Sequence, residues 1–304
     1  MVSKTSAPWR RFIPRLAAVG GLTAALSGCF SAPYTRGTVY ELFPVAPRPT
    51  DASYRVGSSR VHFVEENGGP GRIVFIHGSP GDWQGWAPLM RNPQLRSQAA
   101  MLAPDRPGWG RSDYGHVVPG LEAQAELLRP LLGEGTRRTL LVAHSYGGAV
   151  ALRMALDHPQ AVSGLLLVAP ALSPELERPS WYERLAGMFP ARLLLPERLT
   201  LSLKELANLP QDLGRLRRLL PGLQVPVVVI QGEDDRQVDP RTADFAEREL
   251  PPRFTKVIRV SGQGHWILWT DQALIVSEIL SMLRTMATDF PASGPDSAYH
   301  AISF

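Results

Sequence analysis

The sequence predicts an α/β fold built on a mostly parallel central sheet flanked by helices, and three observations carry that prediction. Short continuous apolar runs recur at residues 73–76, 100–103, 140–143, 165–169 and 227–230. Strands covered on both faces need such runs, whereas a half-exposed sheet alternates. Most runs lead through a turn into a helical pattern, such as 149–158 stopped by Pro159 and 242–250 stopped by Pro251. Repeated strand, turn and helix requires crossover connections, hence parallel strands. Finally, a chain of 304 residues, 44% hydrophobic and 20% charged, is long enough to bury a core on both sides of a sheet.

Taken in order, residues 1–28 carry Lys4, Arg10, Arg11 and Arg15 with no acid, and then an uncharged apolar run over 16–28. That is the layout of a signal peptide, and the run is too short for a spanning helix, which needs about 20 residues. It ends in Leu26-Ser27-Gly28-Cys29, which resembles the bacterial lipoprotein lipobox. The resemblance implies that Cys29, the chain's single cysteine, is joined to diacylglycerol and becomes the mature N-terminus. Phe30 follows where inner-membrane retention often uses Asp, so the expected address is the outer membrane facing the periplasm. Arg10-Arg11 fits a twin-arginine signal poorly, and the export route stays open. Residues 29–52 hold Pro33, Pro44, Pro47 and Pro49 and read as a semi-extended linker.

The body of the protein is expected over 53–288. Residues 53–65 alternate more than they run, which predicts an antiparallel edge hairpin ahead of the sheet. Residues 171–222 interrupt the α/β alternation with six prolines and amphipathic pieces at 181–188 and 213–220, and read as a small helical cap inserted after a central strand. Residues 289–304 read as a flexible tail. Once the leader is set aside, 28 bases balance 28 acids. No dense basic cluster with interleaved aromatics remains, which argues against a nucleic-acid partner. The histidines show no metal-ligand spacing, and no glycine fingerprint for a nucleotide follows a strand, so neither metal nor cofactor is expected.

The chemistry lies on three turns. The run 140–143 enters His144-Ser145-Tyr146-Gly147-Gly148, close to the G-x-S-x-G elbow in which a serine sits on a strained strand-to-helix turn. Positions two before and two after the serine press on neighbouring backbone, and here they are Ala143 and Gly147. Gln231-Gly232-Glu233-Asp234-Asp235 follows the strand 227–230, and Gly262-Gln263-Gly264-His265 follows the strand 256–260. With serine, aspartate and histidine in this order, the sequence resembles an α/β-hydrolase fold protein from about residue 53 to 286. The resemblance implies Ser145 as nucleophile, His265 as base and Asp235 as its orienting acid, with Asp234 and Asp239 as neighbours engaged in turn bonding. A serine hydroxyl is a poor nucleophile near neutral pH, and histidine can take its proton and return it.

The resemblance also implies an oxyanion hole from the backbone N–H groups of Ser79, in His77-Gly78-Ser79-Pro80-Gly81, and of Tyr146, with His77 ordering the loop. Asp105-Arg106-Pro107-Gly108-Trp109-Gly110-Arg111-Ser112 resembles the family's D-x-x-G-x-G-x-S turn and is expected to be structural. Trp181 and Phe189 are the expected substrate contacts of the cap. The reading is a serine hydrolase, esterase- or lipase-like, acting on a carboxylic ester, thioester or lactone while tethered to the membrane at Cys29. Ser145 argues against haloalkane dehalogenases and epoxide hydrolases, which place Asp there. Proline-iminopeptidase-like cleavage, carbon–carbon bond hydrolysis and a noncatalytic lipid-anchored binding protein of the same fold stand as alternatives.

Overall fold

The computed structural model describes residues 36–133, 139–177 and 195–289. The expected leader, Cys29, Trp181, Phe189 and nearly all of the expected tail lie outside them. Among the described residues seven strands form one sheet: β1 Thr50–Val56, β2 Ser59–Ile76, β3 Ala99–Pro104, β4 Thr139–His144, β5 Val162–Val168, β6 Val227–Gly232 and β7 Thr255–Val260. β1 and β2 make the expected antiparallel hairpin, while the pairs β2–β4, β4–β5, β5–β6 and β6–β7 are parallel. The helices among the described residues are α1 Val39–Leu42, α2 Ala87–Met90, α3 Pro93–Gln98, α4 Leu121–Leu128, α5 Tyr146–Asp157, α6 Glu197–Leu206, α7 Leu209–Arg217, α8 Thr242–Glu249, α9 Ile267–Thr270 and α10 Gln272–Asp289.

Period-two alternation sorts the strand side chains into two cores. Leu141, Ala143, Leu165, Leu167, Val227 and Val229 face one, with α4, α5 and α7. Leu140, Val142, Leu166, Val168, Val228 and Ile230 face the other, with α9 and α10. Because both faces are apolar, every residue of β4, β5 and β6 is buried, which is why these strands read as runs.

Two expectations change. β2 is not a short hairpin arm followed by a separate strand. Its register on β3 runs in opposite directions over Phe63–Glu66 against Pro104–Met101, and in the same direction over Gly71–Val74 against Ala99–Leu102. The reversal passes Gly68 and Gly69, where an added Cβ would lie 2.0 Å from the Ala99 oxygen and 2.3 Å from the Ser97 oxygen. Only glycines let the chain cross the head of β3 that closely.

The linker, expected to run to residue 52, gives way to packed structure within its described part. Thr38 and Glu41 form a capping box on α1, and Val39, Leu42 and Phe43 are buried against Trp83, Trp86 and Leu89. This apolar triplet at i, i+3 and i+4 is the core-facing side of a helical turn set among prolines. Packed structure is therefore already present at Gly37, whose N–H donates to the Gln84 side chain at 3.2 Å. The expected cap contributes α6 and α7, with Leu199, Leu201, Leu209, Leu213 and Leu216 buried.

Candidate active site

Ser145 stands between the last residue of β4 and the first of α5, with φ 54° and ψ −127°. A non-glycine residue at positive φ costs on the order of 1–3 kcal/mol and persists only where its surroundings enforce it. Here the enforcement is visible. The Ser145 N–H donates to the Val168 carbonyl at 3.1 Å, and its own carbonyl accepts from Gly148 at 2.9 Å and Ala171 at 3.2 Å. At Gly147 an added Cβ would meet the Ile76 oxygen at 2.3 Å, so the turn closes only with glycine at that position. The strain lifts the serine side chain out of the turn at the carboxyl end of the sheet.

Asp235 follows β6 and His265 follows β7, and parallel neighbours deliver both loops to that same end. Gly232 permits their contact, since a Cβ there would sit 2.4 Å from the Gln263 oxygen, and the Asp234 N–H donates to that oxygen at 2.9 Å. The His265 Nδ1–H donates to Asp235 Oδ2 at 2.9 Å. Asp235, 6% exposed, also accepts from Gln231 Nε2 and from the N–H groups of Gln237 and Val238. Burial opposes its charge, yet the His265 hydrogen bond and charge, with the two backbone donors, hold its carboxyl below the usual range. Asp234 is exposed and Asp239 pairs with Arg241 at 2.6 Å, so neither takes this place.

The loop 77–82 closes over the serine. Gly78 lies so near that an added Cβ would be 2.9 Å from Ser145 Cβ. His77 orders the loop as expected: its Nδ1–H donates to the Gly78 carbonyl at 2.7 Å and its Nε2 accepts from Arg106 N–H at 2.8 Å. Burial, aided by the Arg106 charge, pushes its pKa well down, so the ring is neutral. Tyr146 turns its side chain away from the cleft and buries it. As the first residue of α5 its N–H has no partner within the helix, while its ring lies under Arg106 at 4.6 Å.

Ser145 and His265 line one cleft with Gly78, Ser79, Pro80, Trp86, Trp266 and Trp269. The last three supply an apolar wall that the sequence reading sought in the cap alone. Trp269 is fixed by its Nε1–H to the Gly85 carbonyl at 2.8 Å. His144, also on the cleft, donates from Nε2 to the His265 carbonyl at 3.0 Å, and its ring lies tilted against that of His265 with centroids 4.7 Å apart. It is pushed down to about 3 by burial and by His265, so this second imidazole is a neutral brace for the histidine loop.

The D-x-x-G-x-G-x-S turn is structural, as expected, and more connected than its glycines imply. Asp105, 1% exposed, takes the His62 ring at 2.8 Å, the Trp83 N–H at 2.9 Å and the Arg111 N–H at 2.8 Å.

A parallel sheet carrying its polar groups on turns at the carboxyl ends of β4, β6 and β7 has the form of an α/β-hydrolase. The alpha/beta hydrolase family model matches residues 73–278, and the chain belongs to that family of enzymes. It is 27% identical over 248 residues, 69% of this chain and 86% of the other, to a 2-hydroxy-6-oxononadienedioate/2-hydroxy-6-oxononatrienedioate hydrolase from Pseudomonas sp.. It is 38% identical over 97 residues, 32% of this chain, to 35% of a pimeloyl-[acyl-carrier protein] methyl ester esterase from Edwardsiella ictaluri. Other curated relatives are likewise matched over only 30% and 39% of their length. A membrane phospholipase A described as a bacterial virulence factor shares the fold, with a TM-score of 0.61 at 20% identity over 90% of this chain and 96% of that one.

Proposed function

We propose that this hydrolase is a lipid-tethered serine esterase that cleaves a carboxylic ester, thioester or lactone through Ser145, His265 and Asp235. The observation that carries the reading is the meeting in one cleft of a strained serine and a histidine whose Nδ1–H is committed to a buried carboxylate. That commitment leaves Nε2 as the basic nitrogen. In this mechanism Nε2 takes the Oγ proton as Ser145 attacks the substrate carbonyl. The N–H groups of Ser79 and Tyr146 receive the charge that develops on the carbonyl oxygen. His265 returns the proton to the leaving group, and water then releases the acyl chain by the same steps. Asp235 stays charged and stabilises the imidazolium.

The cap selects the acyl or leaving group through Trp181 and Phe189, and Trp86, Trp266 and Trp269 line the cleft. Cys29 carries the lipid, so the enzyme works at the outer membrane on the periplasmic side. Buried CH₂ groups contribute about 0.8 kcal/mol each, and two or more acyl chains anchor a neutral domain without charge attraction. Mass spectrometry of the mature N-terminus tests this half of the reading: a diacylglyceryl-modified Cys29 is expected, and an unmodified cysteine or a downstream cut contradicts it. The chemical half is tested by p-nitrophenyl ester turnover of the full chain in detergent, which Ser145→Ala should abolish. A second reading, hydrolysis of a carbon–carbon bond, draws on the Pseudomonas relative that aligns over 69% of this chain. A 2-hydroxy-6-oxodienoate turned over far better than any ester would favour it.

A further inference from the structure

We propose that Glu205, on cap helix α6, is a positioning residue that fixes the oxyanion loop through Arg106. The proposal rests on the reading of Ser79 and Tyr146 as oxyanion donors. Arg106 has no exposed surface, and its five N–H groups are all committed. Nε donates to the His77 carbonyl at 2.7 Å and NH2 to the Gly78 carbonyl at 2.9 Å, so the guanidinium holds the two peptide oxygens that immediately precede Ser79. NH1 donates to Gln124 Oε1 at 2.6 Å, and NH1 and NH2 together grip Glu205 at 2.5 and 3.0 Å. Glu205, 3% exposed, is itself steadied by Gln124 Nε2 at 2.9 Å and Trp109 Nε1 at 3.2 Å. The carboxylate thus fixes the plane of a rigid fork whose other edge sets the loop.

The rest of the helix face points the same way. Arg198, Ser202 and Glu205 stand at i, i+4 and i+7 of α6, one side of the helix. Arg198 reaches Asp82 at 3.0 Å, and Ser79 Oγ donates to Ser202 Oγ at 3.0 Å, so this side runs along the loop from Ser79 to Asp82. A buried ion pair contributes little net stability over an apolar pair of like shape, because desolvating two ions offsets their attraction. What this pair supplies is direction: a planar fork aimed at adjacent carbonyls, which a lysine at position 106 could not reproduce. Since oxyanion donors act only when already in place, a small displacement of the Ser79 N–H costs rate and leaves ground-state binding alone.

The test compares parent, Glu205→Gln and Ser202→Ala as full chains in detergent, with rates divided by the active sites titrated with a fluorophosphonate. Glu205→Gln should lower kcat for a short-chain p-nitrophenyl ester on the order of tenfold to a hundredfold, less than removal of a donor outright, with KM within about twofold. Glu205→Asp, which keeps the charge, should recover part of that loss. Ser202→Ala should lower kcat a few-fold in the same pattern, and it carries the test if Glu205→Gln does not fold. Unchanged kcat per titrated site, or a loss lying wholly in KM, would overturn the proposal. A parent protein that fails to label would sink the oxyanion reading, and this proposal with it.

Discussion

Lowering the pH from 7 to 5 should cost the folded domain about 2 kcal/mol through His144 alone. The ring is 4% exposed, its Nε2–H is committed to the His265 carbonyl, and burial with the nearby His265 pushes its pKa down to about 3. In the unfolded chain the same imidazole titrates near pH ~6.5. Between those values the unfolded state binds a proton that the folded state refuses, so stability falls as the pH drops. The roughly 1.5 pH units from 6.5 to 5, at about 1.36 kcal/mol each, give the figure. His77, buried beside Arg106, acts in the same direction. Glu66 and Asp212, raised by burial, act against it at the acid end, because they take up protons in the folded state first. A variant therefore isolates the effect. Urea unfolding followed by tryptophan fluorescence should show the parent losing about 2 kcal/mol more than His144→Asn between pH 7 and pH 5. Equal losses in the two proteins would refute the reasoning.

Other consequences follow from the same geometry. Asp235→Asn should keep the two backbone hydrogen bonds but present an amide donor to His265 Nδ1, shifting the ring proton to Nε2. Ester turnover should fall by about 10⁴ with the circular dichroism spectrum intact, and a loss under tenfold would contradict the role of the carboxylate. The depressed Asp235 carboxyl also contributes stability at neutral pH that is lost as the pH falls below about 4, and Asp235→Asn should remove that part of the acid transition in a pH titration of folding. Phe43→Ala should destabilise by about 3 kcal/mol in chemical denaturation, because this side chain is core and not linker. A change under about 0.5 kcal/mol would return the segment to the surface.

The parts legible in the sequence are those whose cause is local. β4, β5 and β6 are buried on both faces and so leave unbroken apolar runs, Ser145 and Asp235 sit on turns whose crowding demands a neighbouring glycine, and the turn before His265 places Gly262 at positive φ. The doubling back of β2 carries no local sign, because the need for Gly68 and Gly69 comes from backbone at and just before β3, some thirty residues on. Helix α1 was hidden because one helical turn holds too few residues for a periodicity to stand out among prolines. Arg106 and Glu205 had no local signal at all. They are 99 residues apart, and a charged residue in a turn or on a helix reads as solvated until its partner is known. The brace from His144 depends likewise on a carbonyl 121 residues away.

The chemistry proposed for this cleft requires Ser145 to be a nucleophile made reactive by His265. Labelling of the purified full chain with a fluorophosphonate, followed by peptide mass spectrometry, tests it most directly. One modified residue is expected, Ser145, with labelling absent in Ser145→Ala and strongly slowed in His265→Ala. Equal labelling of the parent and Ser145→Ala proteins, or modification at a serine outside the cleft, would contradict it.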